Sequence, residues 1–213
     1  MTHAARLDPE TSTLVRLAAA IAAGTESGLR EGMVEARRAA LLPEWVDELL
    51  LQSILMVGYP RALVAFGMWR ALSEAPAPAA DPDASYDRVH EWEARGAETC
   101  RRIYGSNYGR LRENVRALHP AADTWMLVEG YGRTLSRPGL DLKRRELCTV
   151  AQTAVLDTPR QLHSHLCGAL NAGATLAEVE GALGCAKAFT TPAGWDHAHD
   201  VWATVRGGWV PES

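Results

Sequence analysis

The sequence feature that most constrains the fold is a series of segments whose apolar residues recur with the period of an α-helix. Glycine and proline residues separate these segments. Apolar residues recur at spacings of three and four, as at Leu14, Leu17 and Ile21, and we find no convincing run of the period-two alternation typical of a strand. Thr175 followed by Glu178 has the spacing of a capping box, which marks a helix start. We therefore predict an all-α protein, built as a multi-helical bundle.

Capping residues and breaks set the expected helix boundaries. A first helix capped by Thr11 or Ser12 should end at Gly24, and Tyr59–Pro60 should separate two later helices. The predicted helices cover 11–23, 27–40, 43–58, 60–73, 86–104, 108–118, 121–133, 141–156, 158–173, a helix from 175, and 192–205. Residues 73–85 are rich in proline and alanine, which predicts an exposed linker. The expected organisation is an N-terminal repeat over 1–72, the linker over 73–85 and a C-terminal repeat over 86–213.

Two stretches of the chain follow the same order of features, which suggests an internal repeat. Residues 41–63, LLPEWVDELLLQSILMVGYPRAL, parallel residues 174–196, ATLAEVEGALGCAKAFTTPAGWD. Each has an acidic apolar helix, a proline break and a second helix. A helix pair cannot bury its apolar face alone, so two degenerate copies packed together make physical sense.

Composition excludes some classes of function. The net charge of −4 gives no electrostatic reason to expect a nucleic acid or an anionic membrane as partner. No apolar run reaches the length of a membrane span, and the N-terminus lacks the pattern of a signal peptide. A cytoplasmic location is the default expectation. The four cysteines have no CxxC spacing, and Cys148 and Cys167 are expected to be packing residues.

Glu146 and His165 are the best candidates for a functional site. Glu146 interrupts an apolar row on its predicted helix, and His165 shares a helix face with Thr158 and Gln161. A carboxylate in an apolar row is either desolvated or paired, and a histidine is a natural partner. Such a pair could transfer a proton as a general acid and base. It could equally be a buried hydrogen bond that ties two helices together, and spacing alone favours this structural interpretation.

Other polar residues are weaker candidates. His163 points about 200° away from His165 around a helix, so the two cannot readily share a ligand. A cluster near the C-terminus offers too few neighbouring ligands for a metal shell, so we predict no metal site; its members are Asp196, His197, His199 and Asp200. Arg137 could hold a substrate carboxylate or have only a structural role, whereas Arg133 better fits a helix C-terminal cap.

These residues resemble the carboxymuconolactone decarboxylase superfamily, which includes the alkyl-hydroperoxidase D-like proteins. The resemblance rests on the loop RPGLD from Arg137, the run His165–Ala169–Gly173 with the acidic helix after it, and MVGYPRALVAF over 56–66. It implies an all-helical bundle that assembles into cyclic trimers or hexamers.

The superfamily contains peroxidases and decarboxylases, and the sequence can be compared with the motif of each. Its peroxidases carry CxxCxxxH, whose histidine matches His165 and whose cysteines match Thr158 and Gln161, while their glutamate matches Glu146. Its decarboxylases lack these cysteines, keep the histidine and act on a small lactone acid without metal or organic cofactor. We therefore expect a cofactor-independent lyase or isomerase that acts on a small organic acid or lactone. The alternatives are a peroxidase that uses displaced cysteines and a non-catalytic binding protein.

Overall fold

The computed structural model describes residues 7–209, and within this range the regular structure is helical, with no strand. The helices are α1 (Pro9–Ala23), α2 (Glu26–Arg38), α3 (Pro43–Ser73), α4 (Val89–Tyr104), α5 (Tyr108–Leu118), α6 (Pro120–Trp125), α7 (Leu142–Val155), α8 (Pro159–Asn171), α9 (Leu176–Lys187) and α10 (Pro192–Gly208). Helix α6 continues directly as a π-helix over Met126–Leu135. The all-α prediction is confirmed. The first six residues, part of the segment on which the signal-peptide argument rests, lie outside the described range.

Helices α1 and α7 lie at the centre of the main core. Helix α1 packs on α2, α3 and α9, and α7 packs on α1, α8 and α9. Their fully buried residues include Leu14, Leu17, Leu147 and Val150. The order α1–α2–α3 matches the order α7–α8–α9, so the two central helices are equivalent members of the two repeats.

Several helix boundaries follow the predicted signals, while others differ for local reasons. Asp141 caps α7, and the capping box of Thr175 and Glu178 opens α9. At Gly58 the backbone leaves helical geometry (φ 72°, ψ 170°), so α3 is two helical segments joined at the predicted break. The cap of α1 is Asp8 rather than Thr11 or Ser12, because the Asp8 carboxylate accepts a hydrogen bond from the Thr11 backbone amide at 2.7 Å.

The helix predicted over 121–133 is present, but it is α-helical only as far as Trp125. Residues 126–135 form a π-helix that packs closely against α4. Gly96 and Gly132 allow this contact, since a Cβ atom at Gly132 would lie 2.0 Å from the carbonyl oxygen of Trp92. A smaller apolar cluster fills this interface, with Cys100, Ile103, Leu127, Tyr131 and Leu135 as its buried members.

The proline-rich segment over 73–85 is only partly the exposed linker that its composition predicts. Most of it is exposed, but Asp83 is buried. The Asp83 carboxylate accepts hydrogen bonds from Trp92 Nε1 at 2.7 Å and Arg95 Nη2 at 3.0 Å. The end of the segment is therefore anchored to α4.

Helix α3 is long and apolar enough to cross a membrane by length and composition alone, which differs from the sequence expectation. Its most apolar 18-residue window has a mean hydropathy of 1.6, and 33% of that window is buried in the fold. A core helix of a globular protein passes the same test. The buried residues Glu48 and Gln52 contact α7, so at least one face of α3 belongs to the protein core.

Candidate functional site

The structure brings Glu146 and His165 together on neighbouring helices. Glu146 lies on α7 and His165 on α8, and His165 Nδ1 is 2.9 Å from Glu146 Oε2. Glu146 is 0% exposed and His165 is 7% exposed. The pair lies away from water, where a hydrogen bond that involves a charged group is stronger than at the surface.

Gly168 makes room for this pair. A Cβ atom at this position would lie 2.5 Å from Glu146 Oε2 and 2.7 Å from Ile103 Cγ2. Gly168 is in the second half of α8, where a glycine disfavours the helix relative to alanine. Like Gly96 and Gly132, this glycine is a sign of close packing that the sequence analysis missed.

The hydrogen bond defines a role for each nitrogen of the His165 ring. An ionised Glu146 carboxylate can only accept a hydrogen bond, so the nitrogen that faces it, Nδ1, has to carry a proton. In a neutral imidazole ring the lone pair is then on Nε2. Among the described residues Nε2 has no hydrogen-bond partner, and His165 lines an adjacent cavity. Glu146 Oε1 is buried without a partner in residues 7–209. The arrangement is that of a base oriented by a buried carboxylate.

The cavity beside His165 has a volume of about 480 Å³. One part of its lining is apolar and comes from Leu55, Met56, Leu111, Val115, Trp125, Met126 and Leu135. Another part is polar and comes from Tyr104, Glu129, Tyr131, Arg160, Gln161, Ser164 and His165. This volume lies within the range of ligand-binding pockets.

Arg137 is held by carboxylates of the chain itself. Its Nε donates to Glu48 at 2.9 Å, its Nη2 donates to Asp81 at 2.6 Å, and its Nη1 lies 3.4 Å from Asp83 Oδ2. It lines a second cavity, of about 600 Å³, that shares Leu55, Trp125 and Glu129 with the His165 cavity. Its predicted role in substrate binding stays a prediction, because the structure gives the guanidinium three internal partners.

The positions that would carry peroxidase cysteines are close to the site but carry no thiol. Gln161 is exposed at the cavity, and the Thr158 hydroxyl donates to the Thr153 carbonyl at 3.2 Å. Cys148 is fully buried and Cys167 is half-buried. Burial raises the pKa of both thiols, which disfavours the nucleophilic thiolate.

The other histidines within residues 7–209 do not line this cavity. His163 lines a neighbouring groove with Cys167 and Asn171, and this groove shares Tyr104, Leu111 and Ser164 with the His165 cavity. His197 Nδ1 lies 3.0 Å from Asp157 Oδ1, a partner that sequence spacing could not indicate. Within residues 7–209 no group of three or more metal-ligating side chains is assembled.

Sequence reasoning missed five polar residues of the cavity, which are Tyr104, Glu129, Tyr131, Arg160 and Ser164. Glu129 and Tyr131 lie in the π-helix, which changes the angular spacing of its side chains, so α-helical periodicity could not place them. Tyr104 ends α4, a helix far from His165 in the sequence. Arg160 is one turn before Ser164 and could have been placed beside His165 from spacing alone.

Comparison with known proteins places the chain in a family. A search of curated proteins gives no match. A sequence profile of the carboxymuconolactone decarboxylase family matches residues 1–71 and 121–203, most of the chain. The matched stretches contain both repeats and the candidate pair, whereas the interval 72–120 holds α4 and α5. The chain therefore belongs to the carboxymuconolactone decarboxylase family.

Proposed function

We propose that the protein is a cofactor-independent lyase or isomerase that moves a proton on a small carboxylated or lactone substrate. The observation that carries this proposal is the buried bond between Glu146 and His165 Nδ1, with His165 at the wall of a ligand-sized cavity. A positioned base of this kind contributes about 10²- to 10⁴-fold to a rate. The cavity also argues against a purely structural role, since a helix tie needs no adjoining space.

The proposed chemistry uses His165 as base and then as acid. Nε2 takes a proton from the carbon next to a carbonyl, and the Glu146 carboxylate stabilises the imidazolium that results. The imidazolium returns the proton to a different carbon in an isomerisation. In a decarboxylation, carbon dioxide leaves first and the imidazolium protonates the carbanion, so His165 enters the cycle protonated.

A substrate carboxylate would need a cation at the cavity, and Arg160 is better placed than Arg137. Arg160 lines the His165 cavity and makes no ion pair with the described residues, whereas Arg137 is bound by Glu48 and Asp81. To bind a substrate carboxylate, Arg137 would first have to break its ion pair with Asp81. We propose Arg160 as the first anion-binding residue and Arg137 as the second choice.

A thiol-dependent peroxidase is the weaker candidate. Burial raises the pKa of all four cysteines, that of Cys100 to about 12. None of the four occupies the positions of Thr158 and Gln161 on α8. The positions that would place a thiol beside His165 therefore carry residues that cannot reduce a peroxide.

We also infer that the chain forms a homo-oligomer, with a trimer favoured. Tyr59 and Leu63 lie one turn apart in the second segment of α3, and with the neighbouring Val64 they form an exposed apolar patch. Such a patch favours contact with a second copy. Light scattering should give a mass above that of one chain, and Leu63→Glu should lower it. Leu118→Glu, which alters an exposed leucine on α5, should not. A monomeric natural protein would contradict this inference.

Solvent deuterium incorporation into a panel of small keto acids and lactones, followed by NMR, tests the enzymatic proposal. The natural protein should catalyse exchange at the carbon next to the carbonyl for at least one compound. His165→Ala should lower the rate by about 10²-fold or more. His163→Ala is the matched control, because this histidine is on the same helix but outside the cavity, and it should keep the natural rate. Exchange that survives in His165→Ala would overturn the proposal.

A further inference from the structure

Two tyrosines form a hydrogen-bonded pair in the wall of the His165 cavity. The Tyr131 hydroxyl donates to the Tyr104 hydroxyl oxygen at 2.9 Å, and the rings meet edge to face with centroids 6.0 Å apart. Both residues line the same cavity as His165. The pair is a part of the cavity for which the proton-transfer proposal has no role so far.

The backbone holds this pair in place. Tyr104 is the last residue of α4, and Tyr131 lies between Gly130 and Gly132 in the π-helix. A Cβ atom at Gly96 would lie 2.2 Å from the Leu127 carbonyl oxygen, so α4 and the π-helix touch through their backbones. Long π-helices are rare and often occur at functional sites. A rigid contact of this kind fixes the two hydroxyls relative to His165.

The direction of the hydrogen bond leaves one donor available. The Tyr131 hydrogen is used on Tyr104, so the Tyr104 hydrogen is left for a partner outside the pair. Within residues 7–209 the Tyr104 hydroxyl takes part in no hydrogen bond other than the one with Tyr131. Burial raises the pKa of both tyrosines, so each keeps its proton at neutral pH. Tyr104 is thus a neutral donor whose oxygen is polarised by Tyr131.

The rest of the cavity indicates what kind of molecule would meet this donor. Seven apolar side chains line it, Leu135 among them, and its volume of about 480 Å³ exceeds what a small lactone acid needs. Tyr104, Leu111 and Val115 come from the interval 72–120, which the family profile does not match. This part of the wall therefore lies outside the matched stretches, whereas His165 lies within them.

We propose that Tyr104, supported by Tyr131, donates a hydrogen bond to the oxygen of a carbonyl compound with a mostly apolar body. The proposal rests on the proposed function, because the oxygen so held belongs to the carbonyl next to the carbon that His165 deprotonates. A donor at that oxygen stabilises the negative charge that develops there. Within the proposed substrate class we expect a lactone or a cyclic or bicyclic ketone with an apolar body, and any carboxylate that it carries would be bound by Arg160.

A matched pair of ligands tests this recognition separately from catalysis. The bicyclic ketone 2-tetralone has a carbonyl and exchangeable neighbouring hydrogens, and tetralin has the same rings without the oxygen. Calorimetric titration should show that Tyr104→Phe weakens 2-tetralone binding by about five- to tenfold, the effect of one hydrogen bond. Tetralin affinity should change less than about twofold, because the apolar wall is intact. Tyr131→Phe should have a smaller effect of the same sign.

Tyr108→Phe is the control, since this tyrosine also accepts a hydrogen bond, from Arg112, but does not line the cavity. It should change neither affinity. Thermal unfolding shows whether each variant is folded. If Tyr104→Phe does not fold, the titrations with Tyr131→Phe test the proposal in its place. The proposal is overturned if neither ligand binds, or if the tyrosine variants weaken both ligands equally.

The two proposals fail in different ways. Oxygen-dependent binding that Tyr104→Phe removes, without deuterium exchange in bound 2-tetralone, would support the recognition site and count against proton transfer. Exchange that His165→Ala abolishes, with equal 2-tetralone affinity in the natural protein and Tyr104→Phe, would support proton transfer and reject the tyrosine donor.

Discussion

Removal of the Glu48 carboxylate should destabilise the protein strongly. Arg145 on α7 is 0% exposed, and its only carboxylate partner in the described residues is Glu48, at 2.7 Å from Nη2. Two carbonyl oxygens, of Leu140 and Arg137, accept its other hydrogen bonds, and Nη1 has no partner in that range. Glu48→Ala therefore leaves a buried positive charge without compensation.

The expected cost of Glu48→Ala is about 3–5 kcal/mol in the free energy of unfolding. Total stabilities are about 5–15 kcal/mol, so urea unfolding followed by circular dichroism should show a large fall in the midpoint. Glu180→Ala removes one partner of an exposed ion pair with Arg206 and should cost about 0–1 kcal/mol. Replacing the buried pair together, with Glu48→Leu and Arg145→Met, should recover most of the loss.

The reasoning would be refuted by a Glu48→Ala protein that is as stable as the Glu180→Ala control. That result would mean that Arg145 reaches water or another carboxylate when Glu48 is absent. Glu48→Ala also removes the ion pair between Glu48 and Arg137, but Arg137 keeps Asp81 and Asp83 as partners, so Arg145 is the arginine left without a carboxylate.

Three further predictions concern packing, pH and the thiols. Gly132→Ala should lower the melting temperature, because its Cβ atom would lie 2.0 Å from the Trp92 carbonyl oxygen. Gly184→Ala on α9 is the control, since a Cβ atom there meets open space and the change should be neutral or slightly stabilising. Equal melting temperatures of the two variants would reject the backbone contact. Hydrogen bonds from two arginines lower the pKa of Asp123, so its contribution to stability is present above about pH 4, the unfolded value, and is lost as pH falls through the folded pKa. The stability of Asp123→Asn should therefore fall less steeply with decreasing pH than that of the natural protein. An equal dependence of stability on pH in the two proteins would contradict this prediction. Burial raises the pKa of Cys100 to about 12, so a thiol reagent should label it only after unfolding, and rapid labelling of the folded protein would be inconsistent with its burial.

The sequence predicted those features that depend on local signals. Helical periodicity, the Asp141 cap and the break at Gly58 depend on residues close together in the chain, and the structure has all three. The contact between Glu146 and His165 could be anticipated because Glu146 interrupts an apolar row, a histidine is a natural partner for it, and a family pattern marks both residues.

The features that sequence reasoning missed depend on contacts between distant residues. The π-helix forms where Gly132 meets the backbone of Trp92, and propensity over 121–133 gives no sign of that contact. Asp83 is buried because Trp92 and Arg95 donate to it, although the composition around it is that of an exposed segment. The sequence allowed Arg137 either a substrate carboxylate or a structural role, and only the fold shows the carboxylates that surround it.

The central claim is that Glu146 fixes the proton on Nδ1 of His165 and leaves the lone pair of Nε2 toward the cavity. Long-range nitrogen–proton NMR of protein labelled in its histidine rings measures this tautomer directly. The account predicts a protonated Nδ1 and an unprotonated Nε2 for His165 at neutral pH, with the preference lost in Glu146→Ala. A neutral ring that carries its proton on Nε2 in the natural protein would contradict the account.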